Sequence, residues 1–118
     1  MDYHGIIVDE SQKDITILNK LKILGKKTSS NGKWVLYKIG IAPEKLEKSI
    51  KQLQENMNGG FYFHFYRENE LIVVFKKKIF RITTEKSGWS DVIAYGKSLG
   101  IPEKQLDFFP CRIEDETY

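Results

Sequence analysis

The chain has 118 residues, of which 41% are hydrophobic and 30% charged, with a formal net charge of +3. Those are the values of an ordinary globular body, and at this length it can bury roughly two thirds of its unfolded surface. A disordered chain is excluded on composition, and a spanning helix on pattern: the longest uncharged run, Asn56 to Tyr66, falls far short of the ~20 residues needed.

Gly5 to Val8 reads as a short strand and Asp14 to Leu18 as a helical turn. Next, Leu21, Ile23 and Gly25 alternate with Lys22 and Leu24, and Val35, Tyr37, Ile39 and Ile41 with Leu36, Lys38 and Gly40. With the turn-forming Thr28-Ser29-Ser30-Asn31-Gly32 between them, a β-hairpin of 21–28 with 33–41 is expected. Pro43 suits a first helical position, and Leu46, Ile50, Leu53 and Met57 then recur at helical spacing until Asn58-Gly59-Gly60 stops the run. Glu44 to Lys48 and Glu47 to Lys51 form i,i+4 pairs on its wet side, each worth ~0.2–0.5 kcal/mol.

Three strands follow at 61–67, 70–76 and 79–84, a meander of hairpins. In the first, Phe61-Tyr62-Phe63-His64-Phe65-Tyr66 sends the phenylalanines to one side and Tyr, His and Tyr to the other. A two-residue turn at Glu68-Asn69 sets Arg67 opposite Glu70, Phe65 beside Ile72 and Phe63 beside Val74. A three-residue turn at Lys76-Lys77-Lys78 is then expected, bringing Phe80 and Ile82 to the Phe face and Arg81 and Thr83 to the Tyr/His face. A second helix runs from an N-cap at Ser87 through Trp89, Val92, Ile93 and Gly96 to Gly100. Gly96 inside it implies a close contact with another backbone. A turn at 102–106 leads into Asp107-Phe108-Phe109-Pro110, and Cys111 to Tyr118 adds an edge strand or frays. The predicted architecture is one α+β domain over 1–118, an antiparallel sheet of a hairpin and a three-stranded meander packed against two amphipathic helices.

The segments Glu70-Leu71-Ile72-Val73-Val74-Phe75 and Tyr95-Gly96-Lys97-Ser98-Leu99-Gly100-Ile101-Pro102-Glu103-Lys104-Gln105-Leu106-Asp107-Phe108 resemble small prokaryotic proteins of undetermined function. The resemblance covers about the C-terminal half and implies no activity, so no catalytic residue follows from it.

Cys111 is the only cysteine, so no intrachain disulfide forms, and neither His4 nor His64 has a positional link to it that would suggest a catalytic thiol. Two His and one Cys, widely separated, lack the paired spacing of zinc sites, and no metal or cofactor is expected. The polar, acidic start Met1-Asp2-Tyr3-His4 does not resemble a signal peptide, which points to the cytoplasm and away from a membrane. Lysines at 20, 22, 26, 27, 33, 38, 45, 48, 51 and 76–78 are scattered and read as solvation, while Glu114-Asp115-Glu116 opposes polyanion binding at that terminus.

The candidate binding residues are Tyr62, His64, Tyr66 and Arg81, all expected on one face. Leu71, Val73, Phe75 and Ile79 share that face and make it too apolar to stand in water. It needs a cover: the 21–41 hairpin, a second subunit or a ligand. The expectation is a non-enzymatic module that binds a protein partner or another copy of itself. The alternative is a single-stranded nucleic-acid module that stacks bases on Tyr62, His64 and Tyr66 and holds the backbone with lysines. A hydrolase or transferase would need a nucleophile and base set or a Gly-rich phosphate loop, and neither is present.

Overall fold

Six strands form one antiparallel sheet in the order β2-β3-β1-β4-β5-β6. The computed structural model describes residues 1–118 and places β1 at Tyr3–Val8, β2 at Lys22–Thr28, β3 at Val35–Ile41, β4 at Tyr62–Arg67, β5 at Glu70–Phe75 and β6 at Lys78–Thr83. Two helices, α1 (Leu46–Glu55) and α2 (Ser90–Ser98), complete an α+β architecture. The expected hairpin is β2 with β3, closed by Ser29 to Trp34, and β1 lies between β3 and β4.

The central strands are buried on both faces. On the first face Tyr3, Ile7, Ile39, Phe63, Phe65, Ile72 and Val74 pack under Leu46, Ile50 and Leu53 of α1, with Met57 and with Leu18 from a 3-10 turn at Ile15–Lys20. Asp14 caps that turn by accepting from the Thr16 amide. Pro43 starts a 3-10 turn, Pro43–Lys45, that feeds α1. On the second face Ile6, Tyr66, Leu71, Val73 and Phe75 pack under Trp89 and Val92, and under Ile101, Leu106 and Phe108 of the C-terminal segment. The cover expected from the 21–41 hairpin, a second subunit or a ligand is therefore α2 and residues 101–118. The hairpin extends the sheet sideways and covers nothing.

The register of β4 and β5 is as expected: Arg67 faces Glu70, Phe65 faces Ile72 and Phe63 faces Val74. The next turn is a correction. Phe75 pairs with Lys78, Val73 with Phe80, Ile72 with Arg81 and Leu71 with Ile82, so the turn has two residues, Lys76 and Lys77. Phe80 and Ile82 join the Tyr/His face, where Phe80 packs against Phe75 and Tyr95, and Arg81 goes to the Phe face. Arg81 is tolerated there because β6 is an edge strand: its guanidinium reaches past the core to Glu47 of α1, with Nη2 to Oε1 at 2.6 Å and Nη1 to Oε2 at 3.1 Å. Glu47 is thereby drawn toward Arg81 and away from the helical pairing with Lys51.

Three smaller expectations also change. Ser87 lies in a 3-10 turn, Lys86–Gly88, and caps nothing. The start of α2 is fixed instead by Trp89, whose indole N–H donates to the Thr83 carbonyl at 2.9 Å. Gly96 makes room for the Leu106 side chain and not for a backbone: a Cβ there would lie 2.7 Å from Leu106 Cδ2. Residues 111–118 neither add a strand nor fray; they cross the second face with a 3-10 turn at Ile113–Asp115.

Gly5 on β1 faces the Phe65 ring, and a Cβ at this position would overlap two ring atoms of that fully buried side chain. Gly5→Ala should therefore cost about 1–3 kcal/mol by overpacking, seen as a lower urea midpoint at unchanged slope. A midpoint equal to wild type would show that the ring swings aside freely.

Candidate functional site

Alternation along β4 places Tyr62, His64 and Tyr66 on the second face, as the pattern requires. Each of the three ties down a successive point of the C-terminal segment. The Tyr62 hydroxyl donates to the Gln105 carbonyl at 2.5 Å, His64 Nε2–H to the Pro110 carbonyl at 2.8 Å, and the Tyr66 hydroxyl to Glu116 Oε2 at 2.5 Å. Phe108, fully buried, packs edge-on against Tyr62 and Trp89. The wall is thus closed by its own chain. Arg81, expected beside it, stands on the opposite face with Glu47.

Burial pulls the His64 imidazole down to about 4, against the bond to Pro110 that favours the charged form, so the ring is neutral at physiological pH. Burial likewise pushes the Tyr62 and Tyr66 hydroxyls well above their ordinary value. Burial also raises the Cys111 thiol, the reverse of what a reactive thiolate needs.

Glu116 is the polar centre of this face. Besides Tyr66, its carboxylate takes His4 Nδ1 at 2.6 Å and Lys38 Nζ at 3.3 Å, which joins β1, β3 and β4 to the tail. Burial alone would raise the Glu116 carboxyl, but these three donors outweigh it and hold it below the ordinary carboxylate range. Lys38 is only 6% exposed, and the Tyr118 ring covers its ammonium at 5.1 Å. Neither Lys38 nor Glu116 stands out in the sequence: Lys38 occupies a polar step of an alternating strand, and Glu116 ends an acidic run that looks solvated. The available signal is the apolar content of the tail, Phe108, Ile113 and Tyr118, which a purely solvated end would not carry.

Beside the closed wall lies a groove of about 620 Å³ between the 29–34 turn, the start of β4 and residues 100–109. Tyr62 and His64 border it; Tyr66 and Arg81 do not. Its rim is aromatic, with Trp34 and Phe61 edge-on at 6.0 Å and Phe109 54% exposed. The turn holds Trp34 in place through its own polar side chains: the Trp34 amide donates to Ser29 Oγ, and the Ser29 hydroxyl and Lys33 amide both donate to Asn31 Oδ1. Lys33, Lys104 and Asp107 add charge at the lip.

Glu116→Ala should leave the Lys38 ammonium without its carboxylate and cost about 3 kcal/mol. The double variant with Lys38→Met should recover part of that loss in urea unfolding, and additive losses would mean that the pair is not coupled. Stability should also fall with acid. Folded His64 protonates only near 4 and the unfolded imidazole near 6.5, so between those values the unfolded state holds more protons and gains population as the pH drops. Glu116, with its lowered folded pKa, contributes stability above the ordinary carboxylate range that is lost as the pH falls through the lowered value. Urea midpoints across this window should slope less steeply in His64→Gln than in wild type, and identical slopes would remove His64 from the explanation. No protein-family model, curated protein or solved structure matches the chain, and what the site does therefore rests on its geometry.

Proposed function

We propose that this protein is a non-enzymatic binding module that receives a segment of a protein partner in the groove beside Tyr62 and His64. The observation that carries it is the rim: Trp34, Phe61 and Phe109 are three rigid aromatic side chains held around one concavity, with Phe109 more than half exposed. Rings of this kind supply contact area at low conformational cost and dominate the energetics of peptide and protein recognition. Lys33, Lys104 and Asp107 would add orientation at the lip.

The chemistry of the neighbouring groups favours binding over catalysis. His64 spends Nε2 on the Pro110 carbonyl, the Ser29 hydroxyl donates to Asn31, and the Cys111 thiol is held protonated. These three groups therefore do not make up a nucleophile and base set. Base stacking on Tyr62, His64 and Tyr66 is disfavoured because residues 105–116 occupy the space that the bases would need.

The test is selection of a random displayed peptide library on the immobilised protein. Enriched peptides should bind Trp34→Ala and Phe109→Ala about tenfold or more weakly, the usual effect of removing an aromatic anchor. Equal affinity for wild type and both variants, or no enrichment, would overturn the reading.

A further inference from the structure

At the other end of β3 from the aromatic groove, a cleft of about 680 Å³ opens between the starts of β1, β2 and α1. Lys20 reaches it from the end of a 3-10 turn, Lys22 from the first residue of β2, and Lys45 and Lys48 from the head of the helix. These lysines are spread over 29 positions of sequence, and the fold brings them to one lining. All four are exposed, and none takes part in any of the ion pairs of the molecule. Glu47, beside Lys48 on α1, is drawn off by Arg81, and the expected pairing of Glu44 with Lys48 is not among the ion pairs of the molecule. Asp2 is the single carboxylate of the lining. The cleft therefore concentrates three surplus positive charges, a surplus equal to that of the entire chain.

We propose that this cleft binds the phosphodiester backbone of a nucleic acid strand. Clustered, unpaired ammonium groups repel one another, and an occupant that supplies several anions in a row relieves that repulsion. Lysine serves as a point charge for phosphate oxygens, and Ser49 and Gln52 in the same lining offer neutral donors alongside. No aromatic side chain lines the cleft, so its contacts are to phosphate and not to bases, and recognition is independent of sequence. The cleft shares no residue with the aromatic groove, so the two sites stand or fall separately.

Fluorescence anisotropy with a labelled thymidine homopolymer strand and a mixed-sequence strand tests this on the full chain. Both strands should bind equally at low salt, with log K falling against log salt at a slope of about −3, as four neutralised phosphates on a single strand require. Lys45→Ala/Lys48→Ala should weaken binding at least about tenfold and bring the slope to about −1.5. Both positions are exposed, Lys45 at the end of the 3-10 turn before α1 and Lys48 on α1, and an unchanged melting curve will verify that the fold is retained. Lys77→Ala/Lys86→Ala, which removes two exposed lysines outside the cleft, should bind as wild type does. An equal loss in this control would mean diffuse charge and overturn the site, as would no binding at low salt. Tighter association with phosphatidylserine vesicles than with either strand would overturn the nucleic-acid assignment.

Discussion

The constraint on which this structure depends is that β1, β4 and β5 have no wet face. Along β5 five consecutive residues, Leu71 to Phe75, are buried, so every step of the strand needs a partner above or below the sheet. The first face has an ordinary solution, the amphipathic stripe of α1. The second receives only the short helix α2 and must complete its cover with irregular chain. Irregular backbone has no ladder of its own, and its polar groups must find partners elsewhere. Tyr62, His64 and Tyr66 meet that need, each burying its ring against the tail and giving it one hydrogen bond. Residues that could be taken for a ligand wall are fasteners for the protein's own C-terminal segment.

The same logic accounts for the buried charges. An ammonium placed where Lys38 lies would be costly alone, and a carboxylate among aromatic rings equally so. Together, with His4 and Tyr66 filling the remaining positions around the Glu116 oxygens, they become a directional tie. Hydrophobic contact would hold the tail against the sheet at many registers; a carboxylate with three donors from three strands accepts one. That fixed path shapes the adjoining groove, because the chain that binds Tyr62 and His64 also carries Phe109 to the rim.

Much of the sheet was legible because alternation and turn chemistry act locally. Arg67 against Glu70 and Phe65 against Ile72 followed from a two-residue turn, and the α1 stripe from spacings of three and four. The register beyond Lys76 was not legible, because the decision depends on a residue far away in sequence. Arg81 among phenylalanines looks unacceptable until Glu47 is known to lie above the edge strand. The tail was illegible for another reason: Cys111 to Tyr118 has no period to read, and an acidic run is ordinarily solvated. The lysine cleft belongs to the same class, since only the fold brings Lys20 and Lys22 to Lys45 and Lys48. Of the residues singled out as a site, Tyr62 and His64 border the groove, whereas Trp34, Phe61 and Phe109, which form its rim, were hidden as ordinary turn and strand residues.

The order of strands also governs how the molecule is assembled in time. The β2-β3 hairpin and the β4-β5-β6 meander each close through neighbours in sequence. The strand joining them is β1, whose Tyr3 meets Ile41 on one side and whose His4 meets Tyr66 on the other. Contacts across such separations demand loop closures that local hairpins avoid, and they slow folding accordingly. The first strand of the chain therefore carries the longest loop closures of the sheet, joining two units whose own pairings are local. Without β1, β3 and β4 would each present a bare edge to any neighbour in solution.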